Sequence, residues 1–378
     1  MRIVQITTDN RNQFAKYSLL EPYFGTAPTG LFDGFREMPE VELHVVSCAS
    51  KRMNIPTKLA ENIWFHQPHV PKAGWGRSLF LGCAWSARQL IKSLKPDIVH
   101  GQGTERDCSM AAVLSGFPNV LTIHGNMRIH ASRPEHSASF YYKMAASLET
   151  FCLKRTNGVV AISNYTKDLV DPLTARTWLL PNAVDRRFFE VCSQPLEIPR
   201  LLFVGSLDQR KNPLGLILAC ETMLRAGECT LALAGQFNHE GAYGMKVIAL
   251  AESIPGLSFL GFMDRDALAR EFSLSTILVL PTFEDNCPMV ILEGMAAGLP
   301  VAASNVGGIP DLITHEENGL LFDPHLPQEM RSCLRRLVRE PETCSRLAAA
   351  GRITARQCFH PTVIAERHVD IYREVLNR

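Results

Sequence analysis

Short apolar runs alternate along the chain with longer stretches of helical period. RIVQIT (2–7), VELHVVS (41–47), DIVHG (97–101), NVLTIHG (119–125) and GVVAIS (158–163) are apolar almost throughout and of strand length. That is how strands covered on both faces of a parallel sheet read. Helix-length segments such as 135–155 lie between them. The second half repeats the style with RLLFVGS (200–206), CTLALAG (229–235), LSFLGF (257–262), TILVLP (276–281) and PVAAS (300–304). Strands alternating with helices predict right-handed crossovers and doubly wound sheets. Between the halves, LLPNAVDRRFFEVCSQPLEIPR (179–200) has prolines, mixed charge and little periodicity, the composition of an interdomain linker. The pattern predicts an α/β chain of two Rossmann-like, doubly wound parallel-sheet domains, 1–182 and 183–360, facing across a cleft.

Composition agrees with this division. The chain has 378 residues, 46% of them hydrophobic and 20% charged, which is too long for one ordinary core and suits two. A net charge of +1 gives no reason to expect a nucleic-acid partner. The eleven cysteines include no C-x-x-C pair, which argues against a zinc ribbon or a thioredoxin-like site. Their scatter fits reduced thiols in a cytosol. MRIVQITTDN at the N-terminus has no long apolar core, so no signal peptide is expected. No apolar run reaches the length of a membrane span. The expected location is cytoplasmic. RSLFLGCAWSARQLIKSLK (77–95), with its leucines, aromatics and cations, reads as a solvated helix with one core face. Peripheral contact with the inner face of a membrane is the alternative.

In doubly wound sheets ligands sit beyond the carboxyl ends of the strands, so the residues after each strand carry the candidate chemistry. FVGSLDQRKNP (203–213) ends a strand at Gly205 and sets Arg210 and Lys211 just before a helix, with Asn212 near its cap. Two cations beside free helix amides make an anion site. The alternative is a loop of exposed charges, and neither G-x-x-x-x-G-K-[ST] nor G-x-G-x-x-G is present. TIHGNMR (122–128) sets His124 at a strand end. His66 and His69 have no third ligand nearby in sequence, so no metal is expected there. FEDNCPMVILEGMAAGLPVAAS (283–304) places Glu284 and Asp285 after a strand. Asn286 is expected to cap the next helix, Pro288 to stand in its first turn, and Glu293 to lie about two turns in. A carboxylate there could hold the vicinal hydroxyls of a ribose.

Seven motifs occur in order: HG (124–125), PNAVD (181–185), VGSLDQRKN (204–212), FLGF (259–262), the 283–304 segment, GGIPDLI (307–313) and ENGLLF (317–322). In this order and spacing the chain resembles the family-4 retaining glycosyltransferases of the GT-B fold. The resemblance implies transfer of a hexosyl unit from a nucleoside diphosphate sugar (UDP- or GDP-linked) to a glycan, lipid-linked or small-molecule acceptor. It implies no cofactor beyond that donor and no metal. By resemblance, Arg210 and Lys211 hold the diphosphate and Glu293 the ribose. The backbone around Asn286, Cys287, Pro288 and Met289 meets sugar and phosphate, and His124 lies by the reacting centre. Gly25 and Thr26, in YFGTAP (23–28), belong to the loop that approaches the phosphates. The helix 361–378 would complete the first domain. Asp285 stands seven residues from Glu293 and Glu284 eight, so either fills the motif's first acid. Ser206 replaces a common arginine and Ala183 a common glycine. A non-catalytic nucleotide-sugar sensor or transferase partner subunit is the alternative function. A glycoside hydrolase using the acids at 284, 285 and 293 is a rival that leaves the Arg-Lys loop without a purpose.

Overall fold

A computed structural model describes residues 1–14, 16–136, 138–192, 196–236 and 241–377. The chain forms two compact units, Met1–Ala183 with Pro361–Arg378, and Val184–His360. In the first, the described strands are β1 (Arg2–Ile6), β2 (Glu42–Val46), β3 (Lys58–Ala60), β4 (Ile63–His66), β5 (Ile98–Gln102), β6 (Asn119–Ile123), β7 (Val159–Ala161) and β8 (Thr177–Leu179). They lie in the order β3-β4-β2-β1-β5-β6-β7-β8. All neighbours are parallel except the β3–β4 edge pair. The order reverses between β1 and β5.

Alternate residues of each strand feed opposite faces. Ile3, Leu43, Ile98 and Val120 join Phe35 and Tyr372 in one core layer. Val4, Val46, Val99 and Leu121 join Cys83, Ala87 and Ile91 in the other. The C-terminal helix Pro361–Leu376 lies against the helix Thr26–Arg36. Gly34 permits this contact, because a Cβ there would stand 2.1 Å from the Pro361 carbonyl oxygen. The segment 77–95 becomes a short turn at Gly76–Ser78 and a helix, Leu81–Leu94, whose Cys83, Ala84, Ala87 and Ile91 point inward.

The second unit holds β9 (Arg200–Val204), β10 (Thr230–Ala234), β11 (Leu257–Gly261), β12 (Ile277–Leu280), β13 (Val301–Ser304) and β14 (Leu320–Phe322). They form one parallel sheet in the order β11-β10-β9-β12-β13-β14. Counted within the unit this is 3-2-1-4-5-6, the order of dinucleotide-binding sheets, and its reversal between β9 and β12 opens a crevice at their carboxyl ends. All ten strands read from the apolar runs are present. The segment 179–200 is less of a linker than its composition suggests. Val184 and Phe188 are buried, and Phe188 packs edge-on against Phe272 at 5.3 Å; residues 193–195 lie outside the described residues. No described helix is long and apolar enough to cross a membrane.

Candidate active site

The loops after β9 and β12 flank the order reversal of the second sheet, and they are tied to each other. Phe283 N donates to Arg210 O at 2.8 Å, and Thr282 Oγ1 donates to the same carbonyl at 3.1 Å. Arg210 Nη1 donates to Glu284 O at 3.0 Å. The Lys211 ammonium pairs with the Asp285 carboxylate, both side chains being largely buried. The loop after β9 is also braced from within. Asp208 accepts from Ser206 Oγ at 2.7 Å and from Lys211 N at 2.9 Å. Asn212 adopts a left-handed conformation and caps the helix Pro213–Arg225, accepting from Gly215 N at 3.1 Å. Gly205 donates its amide to Ala234 O at 3.0 Å.

Asp285 is seated by a close approach. Gly307, with φ +57°, brings its backbone so near that a Cβ would lie 1.9 Å from Asp285 O. Gly308 N then donates to that oxygen at 3.1 Å. The following helix, Met289–Ala297, starts two residues later than the cap assignment to Asn286 requires. Pro288 is the N-cap, and no side chain caps the helix. Proline's fixed φ suits an entry to a helix, but it offers no side-chain acceptor. Pro288 has no N–H, and the first-turn amides of Met289 and Val290 lack helical carbonyls to bond. Glu293 is the fifth residue of this helix, one turn in rather than two.

Glu293 is buried, and burial raises its pKa against the opposing pull of Arg265. Arg265 Nη1 donates to Glu293 Oε1 at 2.7 Å, and its Nε lies 3.7 Å from Asp185. The guanidinium also sits over the Phe188 ring, 4.6 Å from its centroid. Asp185, the acid of the PNAVD motif, thus shares one arginine with Glu293. A separate cavity of about 280 Å³ opens at the ends of β9 and β10, lined by Gly205, Ser206, Gln236, Phe262 and Met263.

In the first unit His124 follows β6, and its Nε2 lies 2.8 Å from Gln102 Oε1. With an amide oxygen as acceptor, Nε2 carries the proton and Nδ1 presents a lone pair. Burial lowers the His124 pKa to about 4, so the ring is neutral at physiological pH. Its turn is held by a buried carboxylate: Glu149 accepts from Thr104 Oγ1 at 2.6 Å, Met127 N at 3.0 Å and Arg128 Nε at 3.3 Å. Gly125 N donates to Glu105 Oε1 at 3.2 Å. A narrow crevice brings His124 and Gln102 together with Ala27, Asn182 and His368. Gly25 is the N-cap of the helix that carries Ala27, its carbonyl accepting from Thr29 N at 3.1 Å. The first-turn amides of Thr26 and Ala27 accordingly have no helical partner.

Sequence reasoning missed Gln102, Glu149, Arg265 and Asp208. Gln102 carried one signal: it ends β5 in register with Thr122 of β6, beside the strand end that bears His124. Asp264 and Asp266 have D-x-D spacing just past β11, yet Asp264 caps the helix Arg265–Ser273, accepting from Ala267 N at 2.8 Å, and Asp266 pairs with Arg187. Among the described residues one cluster has metal-ligating atoms in reach of each other, Cys48, Cys83 and Asp107 in the first unit. Contact with Cys83 and burial push the Cys48 thiol well up.

Two family models match the chain in succession. Residues 36–188 match Glycosyltransferase Family 4, and residues 186–354 match Glycosyl transferases group 1. An uncharacterized glycosyltransferase of Methanocaldococcus jannaschii, MJ1178, is 22% identical over 89% of this chain and 91% of its own. Sucrose-phosphate synthase from Thermosynechococcus elongatus superposes with a TM-score of 0.78 at 18% identity, covering 100% of this chain and 99% of that one. Anabaena HepE in complex with UDP-glucose does so with a TM-score of 0.70 at 16% identity, covering 99% and 100%. Fold and matches together define a GT-B chain. In sequence its two halves are similar in turn to the family-4 and the group 1 glycosyltransferases.

Proposed function

We propose that the chain is a retaining hexosyltransferase that takes its sugar from a nucleoside diphosphate donor and needs no bound metal. The observation that carries this reading is the pair of cross-tied loops at the order reversal of the second sheet. Arg210, Lys211 and the uncapped start of Met289–Ala297 supply positive potential where a diphosphate would leave. Developing charge on a leaving group is stabilised best by donors already in place. Lys211 is paired with Asp285 in the resting chain. A diphosphate carries more charge than one carboxylate and would compete for that ammonium, releasing Asp285 beside the transferred sugar. The anomeric C–O bond to phosphate breaks as the acceptor oxygen bonds the same face, and the acceptor proton passes to the departing phosphate oxygen. No protein nucleophile is required, and Glu293 is assigned to the ribose. His124 is a neutral hydrogen-bonding group at the reacting centre, with Glu284 or Asp285 beside the sugar.

A UDP-sugar is the first donor to test, since Anabaena HepE is solved with UDP-glucose. A thermal-shift series across UDP-, GDP- and ADP-sugars should single out one donor, and NMR of the product should show the donor's anomeric configuration. An inverted product, or loss of turnover in chelator restored by magnesium or manganese, would overturn the corresponding part. The engaged state of Lys211 also fits a sensor that binds a nucleotide sugar without turnover. Slow hydrolysis of the donor in the absence of acceptor is expected of the transferase and not of the sensor.

A further inference from the structure

The helix Leu81–Leu94 uses only half its circumference. Cys83, Ala84, Ala87 and Ile91 are buried against the first sheet. Leu81, Trp85, Arg88 and Lys92, spaced four, three and four residues apart, share a second stripe beside the buried one, and all four are exposed. Two of them are large apolar groups held in solvent: Leu81 is 51% exposed and Trp85 67%. Leu79 adds a third at 43%. It precedes Phe80, and both adopt left-handed backbone conformations, φ 54° and 61°. This tight turn buries Phe80 while keeping Leu79 on the surface.

The charge along this segment of the sequence has one sign. From Asn62 to Pro96 the sequence has no Asp or Glu, while it contains Lys72, Arg77, Arg88, Lys92 and Lys95. All five are exposed. Among the described residues none of the five is paired with a carboxylate, in a chain whose net charge is only +1. Exposed apolar side chains on a segment whose cations are unpaired fit a surface with an oily interior and anionic headgroups. A water-soluble acidic partner would use the cations and leave Trp85 and Leu81 without a purpose.

We infer that Leu79, Leu81 and Trp85 with the flanking Lys72, Arg77, Arg88 and Lys92 form a docking face for an anionic lipid bilayer. The apolar side chains enter the headgroup boundary, and the cations hold the surface charge. The assignment does not depend on the transfer reaction. None of these residues belongs to the loops or crevice described above, so nucleotide binding remains an independent check on the fold.

The test is sedimentation of the full chain with vesicles of phosphatidylcholine alone and vesicles doped with phosphatidylglycerol. The wild type should sediment with the anionic vesicles only, less so at high salt. Leu81→Ser and Trp85→Ser should each lower the partition. Removing Arg88 and Lys92 together, as Arg88→Gln with Lys92→Gln, should lower it by about fivefold per cation. The melting temperature should stay unchanged in every variant, as expected for exposed positions. A wild type that stays in the supernatant with anionic vesicles overturns the inference, as does binding indifferent to the apolar and the charge substitutions. A concentration-dependent dimer abolished by Trp85→Ser would also overturn it, showing that the face meets a second copy instead.

Discussion

Arg265→Met offers a direct test of how the second unit keeps an acid in its interior. Glu293 is 2% exposed, and its one described side-chain partner within 2.7 Å is the Arg265 guanidinium. Methionine keeps much of the arginine stem's volume but removes the charge. Stripping the partner from a buried ion pair costs about 3–5 kcal/mol. The Arg265 side chain remains 26% exposed, so the lower end, about 3 kcal/mol, is the expectation at about pH 8. The lost contact with the Phe188 face adds about 0.5–1 kcal/mol at any pH.

The pH dependence separates the two contributions. Burial already raises the Glu293 pKa, and Arg265 opposes the rise. Without Arg265 the folded pKa climbs further above the unfolded value, so the folded state binds the extra proton. Stability is then retained below the unfolded pKa and lost as pH rises through the new folded one. The deficit of Arg265→Met, measured by urea unfolding, should shrink to about 1 kcal/mol near pH 5 and grow to about 4 kcal/mol near pH 8. Adding Glu293→Gln should restore stability at high pH and flatten the profile. An equal deficit at both pH values, or no rescue by Glu293→Gln, would refute the claim that Arg265 acts through this carboxylate.

Lys211→Ala should weaken free nucleoside diphosphate about tenfold in calorimetry, the worth of one charge-assisted contact; unchanged affinity would remove Lys211 from the diphosphate. Gln102→Leu deletes the acceptor that fixes the His124 tautomer, so turnover should fall about tenfold while nucleoside diphosphate affinity stays the same. Equal losses in both would mean a general structural defect. His368 is buried with its pKa lowered to about 4 from 6.5, so the unfolded state takes up its proton first as pH falls. The stability linked to it is present above about pH 6.5 and shrinks toward about pH 4 by about 3 kcal/mol. His368→Asn should flatten that part of the thermal-stability profile, and an unaltered slope would assign the acid sensitivity elsewhere.

The strands that could be read from the sequence are those with a neighbour on each side or a long apolar run. β12 is apolar throughout and β9 apart from Arg200, while β1 and β5 keep enough apolar positions to read as strands although each buries a polar side chain, Gln5 and His100. Four strands were missed, and each has a local reason. Lys58–Ala60 and Thr177–Leu179 are three-residue edges with one neighbour, so burial does not purge their polar residues. Leu320–Phe322 is another short edge, ending a motif that reads as a turn. Ile63–His66 alternates buried and half-exposed positions and is too short for a period to register. The Asn286 assignment failed because a capping residue was sought by side-chain type, whereas Pro288 sets the helix entry by its ring.

What the sequence hid at the candidate site is pairing, and the reason is geometric. Candidate residues were found by one rule, that chemistry gathers after strand ends, and that rule needs only the order of elements. Their partners come from other elements: Arg265 is 28 residues from Glu293, Gln102 is 22 from His124 and Asp285 is 74 from Lys211. Which acid meets which cation depends on strand order, and 3-2-1-4-5-6 is not written in any local period. Once that order is known the pairing is constrained. β9 and β12 are neighbours, so the loop after one can reach only the loop after the other at that edge, and Lys211 and Asp285 face each other. The same adjacency leaves Glu284 and Asp285 unequal. Asp285 is held by Gly307, Gly308 and Lys211, while the Glu284 backbone oxygen, rather than a carboxylate distance, is what Arg210 reads. A substitution at Asp285 therefore disturbs the cation and the glycine turn together. A substitution of the Glu284 side chain leaves the Arg210 bond intact.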